Sequence, residues 1–188
     1  KERLLSLLKP GGLAVLNASD DWTRSMGVRC ESKVAWFGHG PAAEGAIRTR
    51  DGHLFDAFSE GGGEYVVGSP ALRGVHNLEN AMAAIIAVRR LGATPEAVQR
   101  GLDSYPGLPH RIERVRVLDG VEWVNDSKAT NVDSVEKSLA AFKGPLHLIL
   151  GGRGKGTPYL PLRSLLPGRV ARLYLIGEEA GRLALELG

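Results

Sequence analysis

A chain of 188 residues with 43% hydrophobic content can build one large packed core or two smaller ones. It contains no run of eighteen apolar residues and no basic-then-apolar leader, and its single cysteine, Cys30, rules out an internal disulfide, so a cytoplasmic protein is expected. A formal charge of +3 without Lys/Arg clusters among aromatics argues against nucleic acid or a membrane as partner and leaves small anionic ligands open.

In chain order, Lys1 to Leu8 places four leucines on one broad face and stops at Pro10-Gly11-Gly12, which predicts a helix. Leu13 to Leu16 is an apolar run of the buried parallel-strand type, followed by Asn17 to Asp21 as loop and helix cap. Lys33 to Phe37 predicts another strand. Ala46 to Arg50 and His53 to Phe55 flank Asp51-Gly52, a strong hairpin signal, and with Glu64 to Val67 they suggest a small antiparallel edge. His39 and His53 have no carboxylate or cysteine at ligand spacing, so no metal is assigned to them. From Asn77 the apolar positions follow helical spacing as far as Gly92, with Asn77 and Asn80 three apart on one face. Each amide could meet the edge of a base, or Asn77 could simply be the N-cap. Thr94-Pro95-Glu96 starts a further helix.

Tyr105 to Pro109 holds two prolines and a glycine and marks a boundary, giving domains over 1–107 and 108–188. His110-Arg111 follows at once: the guanidinium could bridge phosphate oxygens bidentately or pair with Glu113. Glu113 to Leu118, Asp119-Gly120 and Val121 to Val124 read as a hairpin. Beyond it, helices at Val132 to Ala141 and Glu178 to Leu187 alternate with buried strands at Leu146 to Leu150 and Val170 to Ile176, which predicts a largely parallel sheet with helices on both faces.

Between the hairpin and its helix lies Asn125-Asp126-Ser127-Lys128-Ala129-Thr130-Asn131. A connecting turn needs a breaker and a cap; this one carries a carboxylate, an ammonium, two hydroxyls and two amides at the carboxyl end of a strand, where open α/β sheets put ligands. The glycine run Gly151 to Gly156 follows its strand like a dinucleotide fingerprint but is one residue short, so an anion site of backbone amides plus Lys155 is the better reading. No Gly-x-x-x-x-Gly-Lys-Ser/Thr occurs, since Gly156 follows Lys155 and Ile149 stands where the first glycine would.

Four ordered stretches resemble the Mur ligase family in its glutamate-adding branch: Gly74-Val75-His76-Asn77-Leu78-Glu79-Asn80-Ala81, Gly107 to Glu113, Asn125 to Asn131, and Leu148 to Lys155. The resemblance implies an α/β fold, with the end of a P-loop-type central ATPase domain of mixed sheet followed by the start of a Rossmann-like C-terminal domain, within a longer enzyme. It also implies an ATP- and Mg²⁺-dependent amide ligase of peptidoglycan precursor synthesis. Such a ligase phosphorylates the carboxylate of UDP-N-acetylmuramoyl-L-alanine, and the amine of D-glutamate attacks the acyl phosphate. Carried onto matching positions, Asn77, Asn80, His110, Arg111, Asp126 and Lys128 serve the nucleotide, Arg111 and Lys128 being catalytic. Thr130 and Lys155 hold D-glutamate, and Lys1, as a carbamate, would supply an anionic oxygen to magnesium. A monomer is expected, and the 188-residue piece alone is expected to be inactive. The alternatives are another Mur ligase, a folylpolyglutamate synthase-like ligase, a dehydrogenase using the glycine loop, or a non-catalytic nucleotide-binding module.

Overall fold

The computed structural model describes residues 2–39, 47–50, 52–154 and 156–188, so Lys1 and Lys155 lie outside it. The chain is mixed α/β and divides into two units, Lys1–Leu72 with His76–Pro106, and Arg73–Val75 with Gly107–Gly188.

The first unit is built on a five-stranded sheet in the order β1 (Leu13–Asn17), β2 (Lys33–Phe37), β3 (Ile47–Arg50), β4 (His53–Asp56), β5 (Gly63–Val66), parallel as far as β3 and antiparallel from there. The N-terminal helix expected from the leucines is a 3-10 helix over Glu2–Leu7 that buries no residue, with Leu4 and Leu7 both exposed. Helix α1 (Asp21–Val28) lies close enough to β2 that a Cβ on Gly27 would stand 2.2 Å from the Trp36 ring. The core joins Ala35, Ile47, Leu54 and Tyr65 of the sheet to Ala81, Met82, Ile85 and Ile86 of α2 (Val75–Arg90) and to Val98 and Leu102 of α3 (Pro95–Ser104). Helix α2 starts at Val75, directly after Gly74 at φ 93°, so Asn77 is inside the first turn and is not the cap.

Beneath that core, the Asp56 carboxylate accepts from the backbone N–H groups of Phe58 and Ser59 at 3.0 and 2.9 Å and faces Arg89 Nε at 3.7 Å. Arg89 donates onward to the carbonyls of Ala93 and Glu60 at 2.7 Å each. This buried pair ties the turn after β4 to the last turn of α2. Burial, with the nearby Asp56 charge, pushes the Tyr65 phenol upward.

In the second unit, β6 (Glu113–Leu118) and β7 (Val121–Asn125) form an antiparallel hairpin. Its turn has Asp119 at φ 50° and Gly120 at φ 77°, the left-handed pair that a two-residue hairpin needs and that Asp-Gly supplies. Strand β8 (Leu146–Gly151) pairs in parallel with β9 (Val170–Ile176) in a separate two-stranded sheet. The expected largely parallel sheet is therefore corrected: β7, which delivers the loop 125–131, pairs with β6 and not with β8. Strand β8 alternates between half-buried and exposed residues where a buried strand was expected, because the helices lie on one face of its sheet among the described residues. Leu146, Leu148, Leu150, Leu173 and Leu175 meet Val135 and Leu139 of α4 (Val132–Ala140), Leu162 of α5 (Leu160–Arg163), and Leu183 and Leu187 of α6 (Ala180–Leu187). Ile149, Tyr174 and Ile176 point outward.

Candidate functional site

In the second unit the loop behind β7 and the segment ahead of β6 are stitched together. The backbone N–H of Lys128 donates to the His110 carbonyl at 3.0 Å, and the N–H of Ile112 donates to Asp126 Oδ1 at 3.1 Å. Asp126 Oδ2 accepts from the Ser138 hydroxyl on α4. The His110 N–H donates to Glu113 Oε2 at 2.8 Å, and Arg111 forms an isolated bridge back to Leu108. Both neighbours of Arg111 are left-handed, His110 at φ 65° and Ile112 at φ 46°, although neither is glycine. A β-branched side chain in that region is a genuine outlier, and each such residue costs about 1–3 kcal/mol that its surroundings must offset.

This geometry brings four predicted site residues together: His110, Arg111, Asp126 and Lys128. Arg111 and Lys128 are exposed, and neither has a side-chain hydrogen bond or ion pair among the described residues. Two unpaired cations leaving one backbone stitch can meet a polyanion, Arg111 through a bidentate fork. The alternative pairing of Arg111 with Glu113 does not occur; Glu113 accepts instead from the His110 N–H. Asp126 uses one acceptor position on each oxygen and keeps capacity for a ligand hydroxyl. Asn131 caps α4, its side chain accepting from the Ser134 N–H at 2.8 Å, and Thr130 is exposed with its amide on the Lys128 carbonyl at 2.9 Å.

The glycine loop after β8 is less open than an anion cradle would be. The Gly152 amide is spent on the Ile176 carbonyl at 3.0 Å, and Arg153 pairs with Glu178 at 3.0 Å. A Cβ on Gly151, at φ 147°, would lie 1.9 Å from the Ile176 oxygen, so at least this glycine serves the close approach of the loops after β8 and β9.

In the first unit the loops behind β1 and β2 meet the start of α2. The Ser19 hydroxyl accepts from the His39 N–H at 3.0 Å, and His39 Nε2 lies 3.8 Å from Glu79. Asn77 is half-buried and Asn80 exposed in the first two turns of that helix. Among the described residues, no three His, Cys, Asp or Glu side chains gather as a metal cluster. No described helix is long and apolar enough to cross a membrane.

Sequence reasoning missed Glu113 as a holder of His110, Ser138 as a partner of Asp126, and the His39–Glu79 approach. A carboxylate three residues after His110 was a weak signal for the first; the others join residues 12 and 40 positions apart, which no local pattern reveals.

Residues 1–88 match the Mur ligase middle domain, and over nearly its whole length the chain is similar to Mur ligases. It is 44% identical over 98% of its length to a protein of Myxococcus xanthus (strain DK1622) and 44% identical over its whole length to one of Anaeromyxobacter dehalogenans (strain 2CP-C). Both are named UDP-N-acetylmuramoylalanine--D-glutamate ligase, and the chain spans 42% and 43% of their respective lengths. A solved structure of MurF from Acinetobacter baumannii superposes over the whole chain, and 43% of its own, with a TM-score of 0.79. At 18% identity that likeness speaks for the fold alone.

Proposed function

We propose that the chain is part of an ATP-dependent ligase that joins D-glutamate to UDP-N-acetylmuramoyl-L-alanine through an acyl phosphate, in peptidoglycan precursor synthesis in the cytoplasm. The first unit is then the closing part of the P-loop-type ATP-binding domain, and the second the opening part of a Rossmann-like C-terminal domain. What carries the reading is the identity of 44% to proteins of that name over nearly the whole chain, together with the resemblance of Asn125 to Asn131 to the family's signature loop.

Each unit by itself carries side chains suited to part of a nucleoside triphosphate. Arg111 and Lys128 supply unpaired positive charge for phosphate oxygens, Asp126 retains acceptor capacity for a ribose hydroxyl, and His110 lies in the same stitch. Asn77 and Asn80 offer amides to the base from α2. Thr130 and Lys155 are assigned to D-glutamate, a hydroxyl and an ammonium for its carboxylates. Magnesium enters through Lys1 as a carbamate, on resemblance alone, since the described residues supply no cluster for it. No protein nucleophile is required: positioning the carboxylate, amine and phosphoryl group and neutralising developing charge account for catalysis.

The test is phosphate release by the full-length enzyme, as a monomer, with each substrate omitted in turn. Release should require both UDP-N-acetylmuramoyl-L-alanine and D-glutamate. Equal release with a different amino acid, or with a preassembled peptide substrate, would move the chain to another branch of the family.

A further inference from the structure

We infer that Glu113, Asn125 and Ser138 are positioning residues that hold the left-handed segment His110-Arg111-Ile112 against the loop 125–128, and so aim the Arg111 guanidinium and the Asp126 carboxylate. The inference rests on the ligase reading for its kinetic consequence only.

Relaxation of either His110 or Ile112 to negative φ would reverse the local chain direction and swing Arg111 away from Lys128. Two carboxylates oppose this, one per strained residue: Glu113 on the His110 N–H at 2.8 Å and Asp126 on the Ile112 N–H at 3.1 Å. Each carboxylate has its own tether. Asn125 Nδ2 reaches Glu113 Oε2 at 3.3 Å, and the Ser138 hydroxyl donates to the second oxygen of Asp126. Ser138 lies on α4, so the helix behind the loop fixes the carboxylate in front of it.

Asn125 also fixes the imidazole. Its Oδ1 accepts from the Ser127 N–H at 3.1 Å, which sets the amide orientation and turns Nδ2 toward His110 Nδ1 at 2.9 Å. An amide nitrogen only donates, so Nδ1 accepts and the neutral ring carries its proton on Nε2. At 3.8 Å the approach of His110 Nδ1 to Glu113 is too long for a hydrogen bond, and the Asn125 amide occupies that ring nitrogen.

The experiment is a double-mutant cycle in the full-length enzyme, with nitrogen-15 NMR of His110 alongside. Glu113→Ala should lower kcat by roughly ten- to a hundredfold, the scale of a misplacement near 1 Å, while KM for D-glutamate holds. Glu113→Gln keeps an oxygen acceptor and should recover most of the loss. In an Arg111→Ala background, adding Glu113→Ala should change kcat by less than about twofold, because the two act as one unit. Asn125→Ala should abolish the Nε2–H preference read from the ring-nitrogen shifts. Equal losses from Glu113→Ala with and without Arg111, or an unchanged tautomer in Asn125→Ala, would overturn the inference. If Arg111→Ala leaves turnover intact, the phosphate assignment fails, and the tautomer measurement still decides whether the stitch exists.

Discussion

The turn after β1 and the turn after β7 start from the same device. Asn17 Oδ1 accepts from the Ser19 N–H at 2.7 Å, and Asn125 Oδ1 accepts from the Ser127 N–H at 3.1 Å, each asparagine closing the strand by folding onto the backbone two residues on. Both turns end in a helix whose cap accepts one amide at 2.8 Å, Asp20 from Thr23 and Asn131 from Ser134. Between asparagine and cap the first turn holds only Ala18 and Ser19, while the second holds Asp126, Ser127, Lys128, Ala129 and Thr130. The first is therefore a minimal connection. The longer turn shows what surplus length achieves: a carboxylate, an ammonium and a hydroxyl placed at a strand end without disturbing either the turn or the cap.

The largest effect expected from breaking this contrast is at Arg111. Arg111→Lys in the full-length enzyme should lower kcat/KM by about 2 to 4 kcal/mol of transition-state stabilisation, since a point charge cannot reproduce the bidentate fork. Among the described residues Arg24, beside the minimal turn, pairs only with exposed Asp21, and Arg24→Lys should stay within about 0.5 kcal/mol. A loss in Arg111→Lys confined to thermal stability would make Arg111 an ordinary surface cation.

Next comes Lys155→Ala, which should raise KM for D-glutamate by roughly tenfold or more, as loss of a charge-assisted hydrogen bond of about 1.5 to 3 kcal/mol. The KM for ATP should move far less; the opposite pattern would make the glycine loop a phosphate cradle.

The two caps sharpen the comparison by their sameness. Asp20→Ala and Asn131→Ala should each destabilise by about 1 kcal/mol in chemical unfolding, one lost cap bond apiece. A markedly larger cost at Asn131 would mean that the longer turn depends on its cap for shape.

The smallest effect is on acid stability. Glu186 accepts from the Tyr159 N–H at 2.5 Å, from the Leu160 N–H at 3.1 Å and from Arg182 Nε at 2.7 Å, and these bonds, the Tyr159 amide foremost, hold its carboxyl below the ordinary 4.5. A depressed carboxylate stabilises the fold fully above the ordinary value and loses that contribution as pH falls through the lowered one. Glu186→Gln should therefore flatten the acid limb of unfolding in the second unit. An unchanged acid limb would show that the contact does not matter to stability.

Much of this was legible locally. Asp119-Gly120 fixes the hairpin by the positive φ both positions need, Thr94-Pro95 fixes the start of α3, and Asn131 caps α4 as its type suggests. Helix α2 begins at Val75, two residues before its helical spacing becomes visible at Asn77, because Gly74 ends the preceding backbone. Strand partnership was illegible for a deeper reason. Apolar runs such as Leu146 to Leu150 report that a strand wants cover but not which strand lies beside it, so while Asp119-Gly120 announced the pairing of β7 with β6, nothing local showed that β8 pairs with β9 and not with β7. The strain at Ile112 is likewise invisible in sequence, since a β-branched residue disfavours left-handed backbone and the acceptors that sustain the segment come from Glu113 and Asp126.

The two short sheets of the second unit carry one more consequence. Among the described residues each leaves both outer edges without a strand neighbour, a row of donors and acceptors that another chain could extend. The hairpin is defended by charge at Arg114, Arg116 and Glu122, with Arg116 lying 6.0 Å over the Trp123 ring. The sheet of β8 and β9 presents Ile149, Tyr174 and Ile176 with only Arg172 as a gatekeeper within its strands. Concentrated as a separate piece, the second unit should self-associate by strand addition along β8 and β9, and a lysine at Ile149 should restore a single species in light scattering.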